Sequence, residues 1–333
     1  MGEMSEQKFF GPVFIFGMPR SGTKLLRDLL NRNEKISIPV AESHFIPYFV
    51  DKYGFDFDLS LEENRKKIYK EFINTSYCFF LKQLHIEFEQ KEFLYSRKIN
   101  RWADLFEYLL RKGGQCLDKK EVIFGDKTPG YIRHMSLLKK VFPQCKFIHI
   151  IRDPRDYALS SRKAWKKNIY RAAERWGETM ERFDEDYQNR SEDDISVVYY
   201  EEMLEHPEQV MRRLCSFLGV EYTSDMLRLE KSWEFYGDAR SKTEIVRHNK
   251  EKYLKELKEK EIKRIEEIVY FTALKHSYKI NFAGKSVSLK KYEKIYYKVF
   301  DSFAVLRHNV TKFGLFKGLY LSYIHHKKSR WQN

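Results

Sequence analysis

Phe14-Ile-Phe-Gly-Met-Pro-Arg-Ser-Gly-Thr-Lys-Leu-Leu26 decides the fold. Val13 to Phe16 read as a short buried β-strand. The strand breaks at Gly17, turns through Met18-Pro19-Arg20-Ser21-Gly22, and re-enters periodic structure at Thr23. Leu25, Leu26, Leu29 and Leu30 then recur at helical spacing. A strand, a glycine-bearing loop and a helix N-terminus in succession make an anion site, because unpaired backbone N–H groups point outward and the helix dipole adds partial positive charge. Gly17 and Gly22 let the backbone approach a phosphate closely. Arg20 and Lys24 add full charges, and Ser21 and Thr23 add hydroxyls.

Gly17 and Gly22 have the spacing of a nucleotide-triphosphate P-loop, but Thr23-Lys24 stands where Lys-Ser or Lys-Thr belongs. The lysine is displaced by one place and no hydroxyl follows it for Mg²⁺. The loop is therefore expected to hold a phosphate-like group without a metal.

Three further strand exits carry polar groups. Ile36-Ser-Ile-Pro-Val-Ala-Glu-Ser-His-Phe45 begins as a short strand and ends at Glu42 and His44, either of which suits a general base. Val122-Ile-Phe-Gly-Asp-Lys-Thr-Pro129 is a second strand and turn, with Lys127 at its exit and Pro129 placed to open a helix. Phe147 to Ile151 read as a fully buried parallel strand that ends at Arg152, and Asp153-Pro154 then start a helix on which Ser160 lies two turns along. In an open parallel sheet these exits share one edge, where ligands collect. Guanidinium at Arg152 suits phosphate, whereas Arg155 has Asp153 and Asp156 as competing partners.

At 333 residues, with 42% hydrophobic, the chain has enough apolar matter for one large α/β domain. No run of 18 apolar residues predicts a transmembrane helix. No charged-then-apolar leader is visible, and Cys78, Cys116, Cys145 and Cys215 have neither zinc nor disulfide-framework spacing, so the expected location is the cytoplasm. The net charge of +14 calls for an anionic partner. Residues 285–333 carry eleven Lys/Arg against Glu293 and Asp301, and apolar residues recur there from Tyr292 through Ile295, Val299 and Phe303. Two readings of this tail stand side by side: a basic amphipathic segment that touches a membrane surface, and a helical hairpin docked on the domain with its basic face in water.

The helical, aromatic-rich residues 51–112 read as an insertion whose aromatics, among them Phe72, Tyr77, Phe79, Phe80, Phe88 and Phe93, are mostly core. Trp176 reads as core on an amphipathic helix, Ile195 to Tyr200 as a strand, Val210 to Leu218 as a helix capped by Gly219, and Lys255 to Leu274 as a charged helix.

Pro19-Arg-Ser-Gly-Thr23 after a strand resembles the 5′-phosphosulfate loop of sulfotransferases that use 3′-phosphoadenosine 5′-phosphosulfate (PAPS), above all the branch of tyrosylprotein sulfotransferases and related bacterial enzymes. The resemblance covers roughly residues 12–280. It implies a P-loop-like parallel sheet flanked by helices and a domain over 1–284 with the 51–112 insertion; the basic C-terminal extension over 285–333 departs from the family core. It implies that Arg20, Ser21, Gly22, Thr23 and Lys24 bind the 5′-phosphosulfate and that Arg152 and Ser160 bind the 3′-phosphate. Lys127, with Arg20, is then set against the bridge oxygen. Glu42 becomes the base that deprotonates the acceptor, with His44 second. Arg240, Ser241 and Lys242, in a late basic loop, are implied nucleotide contacts. PAPS is the co-substrate, adenosine 3′,5′-bisphosphate the product, and no metal is required. The acceptor is a saccharide, lipid, metabolite or peptide, with no nucleic-acid partner, and the oligomeric state is not read from the sequence. The competing readings are a P-loop kinase and a non-catalytic binder of anionic surfaces acting through the tail.

Overall fold

The computed structural model describes residues 8–95, 98–188, 191–230, 243–316 and 319. Five parallel strands form its centre: β1 (Val13–Gly17), β2 (Ile36–Ser37), β3 (Ile123–Lys127), β4 (Lys146–Ile151) and β5 (Ile195–Tyr199), in the order β2-β3-β1-β4-β5. The chain is thus α/β, with a P-loop-like parallel sheet between helical layers. β2 has only two residues, since Pro39 follows closely and cannot donate to a ladder.

Side-chain alternation sorts β1 into two layers. Val13 and Ile15 face one side, where Leu26, Leu29, Ile148, Ile150, Val198 and Leu214 close a buried cluster under the helices Thr23–Leu30 and Pro207–Leu218. Phe14 and Phe16 face the other side, packed on Phe147 at ring separations of 6.1 and 5.6 Å. That layer is covered by the helices Pro154–Trp165, Ile169–Tyr187 and Glu259–Lys275. Burial on both faces explains why β1 and β4 read as nearly continuous apolar runs.

Residues 51–112 are helical as expected, with helices at Glu62–Phe72, Ser76–Lys82, Gln90–Tyr95 and Trp102–Gly113. Phe72, Tyr77, Phe88 and Phe93 are core and Phe80 is partly buried, but Phe79 is 69% exposed. It lies on the outward face of a short helix whose inward positions are held by Tyr77 and Leu81. Two boundaries also differ from expectation. Pro129 opens a single 3-10 turn, Pro129–Arg133, before the helix Met135–Val141. The charged helix expected from Lys255 begins instead at Glu259, because Leu257 is extended and plugs into the core.

The C-terminal segment forms a helix, Lys291–Phe313, that ends at Gly314, whose φ of 81° is left-handed.

Candidate functional site

The β1 loop is held tightly. A Cβ on Gly17 would lie 2.3 Å from the carbonyl oxygen of Ile150, and one on Gly22 would lie 2.4 Å from the Tyr200 ring. Gly22 also sits at φ 97° as the N-cap of the first helix, a conformation that side chains resist. Arg20 adopts φ 79° although it is not glycine. Such strain persists only where surrounding contacts over-determine it, and here they do. The Arg152 guanidinium donates to the Arg20 carbonyl at 2.9 Å and to the Asn249 carbonyl at 3.2 Å. Arg20 Nε in turn donates to Ser160 Oγ at 3.3 Å.

These bonds bring Arg20, Arg152 and Ser160, separated by up to 140 positions in sequence, to one corner of the sheet. β1 and β4 are adjacent and parallel, with Gly17 opposite Ile150, so their exits lie side by side. Arg152 stacks on the Tyr200 ring, 4.5 Å from its centroid, and Trp176 Nε1 donates to the Arg152 carbonyl at 3.0 Å. Arg152 Nε and Ser21 Oγ are buried without a hydrogen-bond partner. Buried donors of this kind are normally satisfied. An orphan hydroxyl on the anion loop and an orphan guanidinium N–H at the neighbouring strand exit are groups that a bound anion would satisfy. Lys24 lies on the first turn of the following helix, its charge felt by Asp28.

A second cluster sits at the exits of β2 and β3. Register puts Lys127 beside Ile15 of β1, at the same edge. Its ammonium is 1% exposed and donates to Glu42 Oε1 at 2.5 Å. His44 Nε2 lies 3.1 Å from Glu42 Oε2. Burial pushes the Glu42 carboxyl up, but Lys127 and His44 together overcome this and hold it well below the usual carboxylate range. The loop is braced from below. Ser43 N–H donates to Thr128 Oγ1 at 3.0 Å, and Phe45 packs edge-on against Phe72 and Tyr77 of the 51–112 helices. Asp28 feels both Lys127 and Lys24, and β1 and β3 are adjacent and parallel, so the two clusters lie along one edge of the sheet.

Arg155 does not join them. It is 4% exposed, forks onto Asp153 at 3.0 and 2.6 Å, and reaches Glu266 at 2.6 Å. Its charge is consumed in joining two helices. Arg240, Ser241 and Lys242 lie outside the described residues. Among those described, Asn249 and Tyr200 were missed by sequence reasoning. Asn249 Nδ2 donates to Tyr200 Oη at 2.8 Å, which ties the end of the late loop to the β5 exit. Tyr200 follows a strand, as Arg152 does, and that position was its available signal.

Glu201, next to Tyr200, accepts from Asp153 N–H and Tyr278 Oη, both at 3.0 Å. Burial, aided by the Asp153 carboxylate, raises its pKa to about 7. Because the folded protein holds this proton longer than the unfolded chain, the contribution to stability is complete below about pH 4.5 and fades as pH rises through about 7. Glu201→Gln is therefore expected to remove about 2 kcal/mol of alkaline loss. Urea midpoints should fall less for the variant than for the parent between about pH 5 and pH 8. Parallel pH curves would contradict it.

Among the described residues no group of three or more His, Cys, Asp or Glu is arranged to hold a metal ion.

A model described as "Sulfotransferase family" matches residues 12–224. Protein-tyrosine sulfotransferase of Drosophila melanogaster is 24% identical over 229 residues, which cover 66% of this chain and 40% of the relative. Protein-tyrosine sulfotransferase A of Caenorhabditis elegans is 26% identical over 228 residues, covering 66% and 52%. The chain thus spans about half the length of these relatives. Among solved structures, the sulfotransferase domain of the Synechococcus PCC 7002 olefin synthase superposes with a TM-score of 0.53 at 21% identity, covering 83% of this chain and 98% of that domain. The sulfotransferase domain of the curacin biosynthetic pathway gives 0.52 at 20%, covering 83% and 100%. These two likenesses carry the fold; the matched model, spanning well over half of the residues, carries the kinship, and the chain belongs to the sulfotransferase family.

Proposed function

We propose that this protein transfers the sulfuryl group of PAPS to a hydroxyl or amine of an acceptor. The observation that carries the reading is the linkage of two anion-binding corners through Arg152 and the Arg20 carbonyl, beside a lysine–carboxylate pair at the same sheet edge. Arg20, Ser21, Gly22, Thr23 and Lys24 would hold the 5′-phosphosulfate, and Arg152 and Ser160 the 3′-phosphate, using charge-assisted bonds. Arg240, Ser241 and Lys242 are candidate further contacts. PAPS supplies an activated sulfuryl group on a good leaving oxygen.

The acceptor heteroatom attacks sulfur in line, and the bond from sulfur to the 5′-phosphate oxygen breaks. The acceptor proton passes to Glu42. Lys127 and Arg20 meet the negative charge left on the departing oxygen, a role suited to preorganised cations. Glu42 is already ionised at neutral pH, so it can accept a proton. Its basicity rises once Lys127 turns from it toward the bridge oxygen, since the cation that depressed its pKa is then shared. The helices of 51–112 brace the loop that carries the base and form one wall of the acceptor space.

Thermal unfolding with adenosine 3′,5′-bisphosphate tests this reading, because a ligand stabilises the state it binds. The midpoint is expected to rise equally with and without Mg²⁺, and to rise less with ATP. Stabilisation only by ATP with Mg²⁺ would select a kinase-like enzyme instead. Incubation with labelled PAPS and a panel of saccharide, lipid, metabolite and peptide acceptors then identifies the product.

A further inference from the structure

The helix Lys291–Phe313 is docked the wrong way round for an ordinary surface helix. Its polar side faces the protein. Lys294 reaches Glu174 at 2.5 Å, Tyr297 packs on Tyr170, and Asp301 bonds Arg171 at 3.1 Å and the Asn168 N–H at 2.7 Å. Lys294, Tyr297 and Asp301 are spaced to share one face. Its apolar side faces outward. Tyr292, Ile295, Tyr296, Val299 and Phe303 recur every three or four residues on the opposite face, with Tyr296 65% and Phe303 67% exposed. Leu315, Phe316 and Leu319, past Gly314, are exposed as well. A continuous apolar strip of this length marks an interaction site, because isolated soluble surfaces seldom carry one.

Charge says what covers it. The segment 285–333 has eleven Lys/Arg and two acidic residues, Glu293 and Asp301. Both acids are turned inward: Asp301 is 5% exposed on Arg171, and Glu293 caps its own helix at Lys290 N–H, 3.6 Å from Arg264. The outward side is thereby left with apolar and aromatic residues bordered by exposed Lys291, Lys298 and Arg307. We propose that this helix lies flat on an anionic phospholipid surface, with Tyr292, Ile295, Tyr296, Val299 and Phe303 in the headgroup–acyl boundary and the basic residues against lipid phosphates. Tyrosine, with its apolar ring and polar tip, suits that depth. No helix among the described residues is long and apolar enough to cross a membrane, and the docked polar face fixes this one in the plane of the surface. The domain would then be held beside the bilayer through this helix.

Co-sedimentation of the full chain with phosphatidylcholine vesicles, with and without phosphatidylserine, is the test. Binding is expected to be on the order of a hundredfold stronger with phosphatidylserine, since three basic residues each contribute roughly a fivefold gain near such a surface. It should weaken steeply with added salt. The double substitution Val299→Ser and Phe303→Ser changes two exposed side chains away from the docked face, so folding should be retained. It is expected to abolish vesicle binding while leaving the bisphosphate-induced rise in unfolding midpoint intact. Equal binding by parent and double variant, or no binding to phosphatidylserine vesicles, overturns the proposal. So does a concentration-dependent dimer in light scattering that the double substitution dissolves, which would put a second copy on this face.

Discussion

Arg152→Ala is expected to weaken adenosine 3′,5′-bisphosphate binding by about a hundredfold to a thousandfold, as measured by calorimetry. The size follows from the surroundings. Arg152 is 6% exposed, its fork is aimed by the Arg20 and Asn249 carbonyls, and its plane is fixed on Tyr200. A phosphate there meets a guanidinium that loses little entropy on binding. The side chain also props the strained Arg20 backbone, so its removal loosens the neighbouring loop. Arg152→Lys separates the two roles. Lysine restores positive charge but neither the fork nor the stacking, so it should recover less than about a tenth of the lost affinity if bidentate recognition is the cause. Wild-type affinity in Arg152→Ala would remove this residue from the nucleotide site.

How much of this could be read beforehand varies with the range of the interaction. β1, β4 and β5 appear within a residue of where their apolar runs place them; for β1 and β4, burial on both faces leaves a nearly uninterrupted signal. The turn at Gly17 and the helix start at Thr23 were legible for the same local reason. Parallel order was then enough to gather Arg20, Glu42, Lys127 and Arg152 at one edge, since each follows a strand. What the chain concealed was pairing. Arg155 and Arg152 are both arginines beside a strand exit: the neighbouring Asp153 was a visible rival for Arg155, but its second partner, Glu266, lies 111 residues away and gave no sign in the sequence. Asn249 reaches the site through a backbone carbonyl, which has no side-chain signature. The tail shows the limit most plainly. Periodicity revealed an apolar stripe on Lys291–Phe313, but both earlier readings were open because a stripe does not say which side is packed. Asp301, an isolated acid in a basic stretch, was the clue: it is the residue the domain grips.

Glu42→Gln is expected to lower turnover by about a hundredfold to ten-thousandfold while leaving bisphosphate affinity within about threefold of the parent. Glutamine keeps an oxygen for the Lys127 ammonium, so the loop should hold its shape, but it cannot take a proton. His44 touches the same carboxylate and competes for the role. If Glu42→Gln turns over normally and His44→Ala does not, the imidazole is the base. If Glu42 is the base, His44→Ala costs less, since the histidine then acts only by holding Glu42. Lys127→Ala adds a readout that a purely structural lysine would not move. Lys127 is the largest influence lowering the Glu42 pKa against the upward push of burial, so its removal should raise that pKa. The acid side of the pH–rate profile, where activity is lost as Glu42 gains a proton, should therefore shift to higher pH in Lys127→Ala as the rate itself falls. A slower enzyme with an unshifted acid limb would mean that Lys127 serves the leaving oxygen alone, and that the contact with Glu42 is not made during the reaction.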